Sequence, residues 1–346
     1  MTRPDPRDFA RALPEEGRLV LTTHRHPDPD GLGAMVGIEY LLKTRFGIAA
    51  DFVLEGRIRR AENLAMREIL GIDALPKGGV DPAQYAGVVV VDAQPGFSHT
   101  HPPGALPVLA VIDHHRGSEE AAPEDVPFFW VAPDYGATST MVWDLLRAFD
   151  LEPDERTATA LFCGVRYDTN NLLREAGPRD EEAFRELERR ANRRMVAEID
   201  QPPLPRHWFV QMHEAIETCR LSGGLVLTLL GEVRSPETVA EVADWFMRLD
   251  GAEWSLAGGA CDGVYQVSLR TDLPGADAYP TLRAILDGEG ACGGHGRMAG
   301  GQLRLDGADL EEVRERLRGR ARSVLAVGDA PEEPLIPPVP STPRNR

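Results

Sequence analysis

The chain has few cysteines and no cysteine pair. Cys163, Cys219, Cys261 and Cys292 stand apart without C-x-x-C spacing, which argues against a zinc knuckle and against a disulfide framework. No apolar run approaches the roughly 20 residues of a membrane span, and the N-terminus, MTRPDPRDFARALPEEG, lacks the apolar core of a secretory signal. A reduced, cytoplasmic setting is therefore expected. Positive charge is also short: 38 Lys and Arg against 55 Asp and Glu leave a net charge of −17. A protein that grips long nucleic acid by its phosphates carries the opposite sign, so neither a long duplex nor a membrane is an expected partner. A small phosphorylated ligand stays open, because a bound metal reverses the local field. No P-loop and no Ser-His-Asp order is evident.

What the chain does have is a set of short apolar runs that end in acids and imidazoles. At 346 residues, 42% apolar and 27% charged, it holds material for two ordinary cores. Arg18–Thr23 reads as a strand and runs into His24-Arg25-His26-Pro27-Asp28-Pro29-Asp30-Gly31, after which Leu32 to Phe46 has helical apolar spacing. Gly87–Val91 is the strongest strand signal and stops at Asp92, and Val108–Ile112 stops at Asp113-His114-His115. Such runs read as buried parallel strands, and open α/β sheets place their ligands at the carboxyl ends of those strands. A fourth acid, Asp168, follows the helical stretch Pro153–Val165. Asp28 and Asp30 have an alternative use as caps of the helix that follows them. His99 and His101, in a Pro-rich loop, are expected to be exposed bystanders.

From Pro178 to about Arg220 the chain reads as charged helices broken by Gln201–Pro205, with Arg189, Arg190, Arg193 and Arg194 as a solvated face. A second α/β unit starts at Gly224, and Gly290–Gly301 reads as a loop in which half the residues are glycine. Glycines let backbone amides approach an anionic group closely. The expected division is 1–177, an α/β parallel-sheet domain with helices on both faces; 178–222, a helical linker; 223–327, a smaller α/β mixed-sheet domain; and 328–346, a disordered Pro-rich tail.

Mixed carboxylate and imidazole donors suit Mn²⁺, Fe²⁺, Co²⁺ or Zn²⁺ better than Ca²⁺. There are too many here for one ion. Two ions about 3.5–4 Å apart, bridged by one carboxylate, would use them well and would activate water for attack on phosphorus.

Taken in order, the motifs resemble those of the DHH phosphoesterase superfamily, and within it the nanoRNase/pAp-phosphatase type with a DHH-associated C-terminal domain. His24-x-x-x-Asp28-x-Asp30-Gly31, Asp92 after the valines, Asp113-His114-His115 and Gly164-Val165-x-x-Asp168-Thr169 are similar to its four N-terminal motifs. Gly293-Gly294-His295-x-x-Met298-Ala299-Gly300 resembles its substrate loop, and Ser268-Leu269-Arg270 its S-L-R-S strand. The chain departs from the family pattern at Cys292, Met298 and Asn170, none of them an expected ligand.

The resemblance implies His24 and Asp28 on one metal, Asp30, His114 and Asp168 on the other, and Asp92 as the bridge. It implies that His115 contacts the scissile phosphate, or a metal ligand from behind, and that Asp113 orients the histidines. Arg270, Gly293, Gly294 and His295 would bind the far phosphate or terminal nucleotide. The implied cofactors are two divalent ions, Mn²⁺ first among them. The implied activity is hydrolysis of short oligoribonucleotides (nanoRNA), or of pAp, to mononucleotides. A phosphodiesterase for cyclic dinucleotides or their linear products is the rival enzyme. The glycine loop disfavours an inorganic pyrophosphatase, and the full ligand set disfavours a non-catalytic nucleotide binder. Expected partners are short oligonucleotides, pAp or dinucleotides, with a homodimer allowed.

Overall fold

The computed structural model describes residues 4–337 apart from 57, 59, 98, 99, 101, 104, 105 and 117–124, so the expectation for His99 and His101 lies outside the described residues. The chain divides after Pro203 into two compact units.

The first unit holds α1 (Phe9–Ala12), β1 (Leu19–Thr22), α2 (Pro29–Leu41), β2 (Ala50–Leu54), α3 (Ala61–Ile69), β3 (Ala74–Pro76), β4 (Gly87–Val91) and β5 (Val108–Asp113). Then come β6 (Phe128–Val131), α4 (Thr138–Ala148), α5 (Glu155–Asp168), α6 (Pro178–Arg190) and α7 (Arg193–Asp200). The strands form one sheet in the order β3-β2-β1-β4-β5-β6, and every pairing is parallel. The chain builds outward from β1 to β3 and then returns to the other side of β1 with β4. The two directions part between β1 and β4, and a crevice opens at the carboxyl ends of strands where they do so. His24 and Asp92 follow those two strands.

Side chains alternate across the sheet. Leu19, Leu21, Val89, Val91, Ala110, Ile112, Phe128 and Trp130 join the core made with the helices. Val20, Val53, Val88, Val90 and Val111 face the other way, where Val80, Tyr85, Ala93, Leu106 and Val126 cover them. No α-helical residue belongs to that second layer among the described residues. Among the described residues, the α-helices contribute to the first of these layers. The connections after β3 and β4 are Pro- and Gly-rich and carry no helix-length apolar period, so loops do the covering. On the helical side α2 lies very close to α5 and α4: a Cβ on Gly33 would stand 2.5 Å from Ala160 O, and one on Gly37 2.5 Å from Val142 Cγ1.

The second unit holds α8 (Arg206–Thr218), β7 (Arg220–Ser222), β8 (Leu225–Glu232), α9 (Pro236–Phe246), β9 (Trp254–Cys261) and β10 (Val264–Thr271). It continues with α10 (Ala278–Leu286), β11 (Ala291–His295), β12 (Met298–Arg304), α11 (Leu310–Val324) and β13 (Glu333–Pro334). Its sheet runs β11-β12-β10-β9-β8-β7-β13. It is mixed as expected, because β8 and β9 pair parallel while the other pairs are antiparallel.

Three expectations need correction. The glycine-rich stretch is a β-hairpin rather than a loop, turning at Gly296-Arg297 between β11 and β12. Residues 178–222 do not stand apart as a linker. Ala183, Leu187, Val196 and Ile199 of α6 and α7 enter the first core, and Met212 and Ala215 of α8 enter the second. The tail is partly built into the fold: β13 pairs with β7, and Leu335 N donates to Cys219 O at 3.1 Å. Residues 338–346 lie outside the described residues. No helix among the described residues is long and apolar enough to cross a membrane.

Candidate metal centre

The apolar runs stop where the sheet stops, and their polar ends meet. Ligand atoms of His24, Asp28 and Asp92 lie within 4.8 Å of one another, as do those of Asp30, Asp92, His114 and Asp168, and those of Asp92, His114 and His115. Asp92 is common to all three groups. It is buried, and its backbone is left-handed at φ 55°, a conformation that Asp adopts more readily than most non-glycine residues.

Each histidine is aimed by the partner of its Nδ1. His24 Nδ1 lies 3.0 Å from Arg25 O, and His114 Nδ1 lies 3.3 Å from Tyr135 O. A carbonyl only accepts, so Nδ1 carries the proton in both and Nε2 is turned to the carboxylates. His24 Nε2 is 3.5 Å from Asp92 Oδ2 and 3.7 Å from Asp28 Oδ1. His114 Nε2 is 3.0 Å from Asp168 Oδ2 and 3.7 Å from Asp92 Oδ1. His115 differs: its Nδ1 donates to Asp113 Oδ1 at 2.8 Å, and its side chain keeps 41% exposure.

The carboxylates are held by backbone as well. Asp28 does cap α2, accepting from Asp30 N at 3.0 Å and Gly31 N at 3.1 Å through one oxygen. The cap reading and the ligand reading of this residue are thus compatible. Asp30 accepts from Thr138 N at 2.6 Å and Ser139 N at 2.8 Å, both at the start of α4. Thr138 Oγ1 donates to Asp92 Oδ1 at 3.0 Å. Glycines let these parts close up: a Cβ on Gly31 would stand 2.6 Å from Thr23 Oγ1, and one on Gly164 2.8 Å from Asp30 Oδ1.

The electrostatics call for a cation. Burial, with Asp92 and Asp168 nearby, holds the Asp30 pKa well above the usual carboxylate range. Burial also raises Asp168, against the pull of His114. Burial opposes protonation of the histidines, yet the carboxylates outweigh it. Asp28 and Asp92 raise His24 well above the ordinary imidazole value. Asp168 chiefly raises His114 to about 10, and Asp113 chiefly raises His115 to about 9. Asp28 goes the other way, to about 2, because His24 overcomes its burial. Asp92 Oδ2 is buried and forms no hydrogen bond among the described residues. Buried acids that crowd one another, an orphaned buried oxygen and two imidazoles aimed through Nε2 fit hard or borderline divalent ions.

Residue-by-residue reading overlooked several contributors. Gln94 Nε2 donates to Asp113 Oδ2 at 2.7 Å and to His115 O at 3.1 Å, which fixes the turn carrying both histidines. Thr138 and Ser139 are the first two residues of α4 and carry no motif of their own. Asn63 Nδ2 donates to Pro27 O at 3.1 Å and ties α3 to the loop that carries Asp28. Only Gln94, two residues past Asp92, carried a local signal.

In the second unit, Arg270, Met298 and His295 are direct cross-strand neighbours on β10, β12 and β11, so they share a face with the next row, Ser268, Gly300 and Gly293. The Arg270 guanidinium donates to Asp244 and to Ser268 Oγ. Gly293 has open space where a Cβ would stand. Gly294 shares the opposite face with the buried Ala299 and Leu269. It has φ 140°, and a Cβ there would stand 2.3 Å from Met298 O, so it serves backbone geometry. The His295 side chain lies outside the described residues.

Residues 18–165 match the DHH family, N-terminal domain. An uncharacterized protein of Methanocaldococcus jannaschii is 27% identical over 323 residues, 91% of this chain and 65% of its own length. A probable manganese-dependent inorganic pyrophosphatase of Lactobacillus delbrueckii subsp. bulgaricus is 26% identical over 146 residues, 42% of this chain and 46% of its own. The cyclic-di-AMP phosphodiesterase GdpP of Geobacillus thermodenitrificans is 22% identical over 325 residues, 88% of this chain and 47% of its own. The chain thus spans about half to two thirds of the length of these relatives. Among solved structures, an exopolyphosphatase-related protein from Bacteroides fragilis superposes with a TM-score of 0.71 at 14% identity, over 92% of this chain and 96% of that one. RecJ in complex with Mn²⁺ from Thermus thermophilus gives 0.54 at 15% identity, over 92% of this chain and 54% of that one. These likenesses show the fold.

Proposed function

We propose that the chain is a divalent-metal-dependent phosphoesterase that hydrolyses short oligoribonucleotides, or pAp, to mononucleotides. The observation that carries this reading is the convergence of three His/Asp groups on one shared carboxylate, Asp92. The manganese in the names of the pyrophosphatase relative and of the RecJ complex supports the choice of ion. His24 and Asp28 would hold one ion, Asp30, His114 and Asp168 the other, with Asp92 between them. Such a pair, when bound, polarises phosphoryl oxygens and lowers the pKa of water toward about 7.

The chain's own residues do the rest. Asp113 takes the Nδ1 hydrogen of His115, so any further proton on that ring sits at Nε2, where it can be donated to a phosphoryl or leaving oxygen. Gln94 keeps Asp113 in that role. The α4 amides hold Asp30 without using its remaining lone pairs. Arg270 and the exposed backbone around Gly293 would receive a phosphate or nucleotide end away from the reacting bond. The pyrophosphatase match covers 42% of the chain, whereas the GdpP match covers 88% and must include residues of both units. That difference favours a substrate with a second group to bind over bare pyrophosphate. The net charge of −17 favours a short one.

The extent of the GdpP match favours one second reading, a phosphodiesterase for cyclic dinucleotides or their linear products. A panel of di- and trinucleotides, pAp, cyclic dinucleotides and pyrophosphate, run with Mn²⁺ and again with EDTA, separates the two. The first reading expects mononucleotides from the linear substrates or pAp and no turnover in EDTA. Preferential opening of a cyclic dinucleotide selects the second. A chain that leaves the whole panel intact with Mn²⁺ refutes both.

A further inference from the structure

We propose that Asp180 is a positioning residue for the metal centre: it clamps the first turn of α4, whose amides and hydroxyl in turn hold Asp30 and Asp92. The inference rests on the metal-dependent reading above.

Asp180 lies three residues into α6 and is fully buried. One of its bonds is local, from Gly177 N to Oδ2 at 2.9 Å, closing the cap of α6. A capping acid needs no more than that. The other two reach the α4 entry. Gly136 N donates to Oδ2 at 2.9 Å, and Thr140 Oγ1 donates to Oδ1 at 2.6 Å. Asp180 has no Lys or Arg partner among the described residues, so neutral donors alone offset the cost of burying its carboxylate. The clamped segment touches the centre on several sides. Tyr135 O receives His114 Nδ1, Thr138 N and Ser139 N bind Asp30, and Thr138 Oγ1 binds Asp92. A Cβ on Gly136 would stand 2.8 Å from Thr169 Cγ2, beside Asp168. The contacts to ligands reach Asp30, His114 and Oδ1 of the shared Asp92, the oxygen on the His114 side, whereas His24 faces Asp92 Oδ2, and none of them reaches His24 or Asp28.

That asymmetry is the test. Mn²⁺ is titrated into the full chain, with bound ion counted by equilibrium dialysis and free ion read by its paramagnetic resonance signal. In a His24→Gln background, where the Asp30 group remains, Asp180→Ala should weaken Mn²⁺ binding by about tenfold or more, the scale for residues that orient ligands. In an Asp168→Asn background, where the His24 group remains, it should change binding by less than about threefold. Asp180→Asn keeps an accepting oxygen for both amides and should restore binding to within about threefold of wild type. If Asp180→Ala does not fold, Thr140→Val removes one of the three bonds and should weaken the Asp30 group a few-fold. Equal losses in both backgrounds, or Asp180→Ala and Thr140→Val affinities indistinguishable from wild type, overturn the inference alone. A wild-type chain that takes up no Mn²⁺ overturns the metal-dependent reading and the inference with it.

Discussion

Replacing Asp92 with Asn should cost the protein both ions at once, whereas replacing His24 or Asp168 should cost one. Asp92 belongs to all three ligand groups, but His24 and Asp168 belong to one each. A ligand that binds only the folded state stabilises it by about 2.7 kcal/mol at a hundredfold excess over its Kd, so two ions contribute about 5 kcal/mol. The first unit runs to Pro203, and for a domain of that size about 1 kcal/mol moves the Tm by roughly 2–4 °C. Saturating Mn²⁺ should therefore raise the wild-type Tm by about 10–20 °C and that of His24→Gln or Asp168→Asn by about 5–10 °C. Asp92→Asn should gain almost nothing. Asn preserves the side-chain shape and the bond from Thr138 Oγ1. The readout is the difference between melts with and without Mn²⁺, so each variant's own baseline cancels. Equilibrium dialysis of the same samples counts the ions. If Asp92→Asn keeps more than half of the wild-type shift, or if either peripheral variant abolishes all of it, the shared-ligand arrangement is refuted.

Metal uptake should release protons. His24 is raised well above its ordinary value and His114 to about 10, so both are charged near pH 7.5 and must lose a proton to ligate. Calorimetry in two buffers of different ionisation heat checks this, and identical heats would refute it. In EDTA the fold should have a window of stability. His114 and His115 have folded pKa values of about 10 and 9, above the ordinary 6.5, so their contribution is full below 6.5 and lost as pH rises through 9 to 10. Asp28, lowered from 3.8 to about 2, contributes above 3.8 and loses that contribution as pH falls toward 2. A Tm that climbs between pH 7 and 10 would contradict this. Gly164→Ala puts a Cβ 2.1 Å from Ser139 Oγ and 2.8 Å from Asp30 Oδ1. The overpacking, about 1–3 kcal/mol, should exceed the gain of about 1 kcal/mol from placing Ala in a helix. Melts and Mn²⁺ titration should both show the loss, and wild-type values in both would refute the packing argument. Arg270→Ala should raise KM for oligonucleotides about tenfold more than for bis-p-nitrophenyl phosphate, the scale of one charge-assisted hydrogen bond. Equal effects on both substrates would remove it from the anchoring role.

The chemistry-bearing residues of the centre were legible in chain order because a buried strand ends where its apolar run ends. His24, Asp92 and Asp113-His114-His115 mark three such ends, and Asp168 closes α5. Local pattern also set the period of the helices and the alternation across the strands. It misread the glycine-rich stretch, since glycine permits a loop and a close-packed hairpin alike, and only the pairing of β11 with β12 chose between them. The resemblance implies that Asp92 is shared, but the physical reason lies in the tertiary structure. The parallel pairing of β1 with β4 places the ends of two distant segments side by side, and no local spacing records that contact. The same holds for Thr138, Ser139 and Asp180. In sequence they are polar residues at helix starts, and only the fold turns their bonds toward the acids that β1 and β4 deliver.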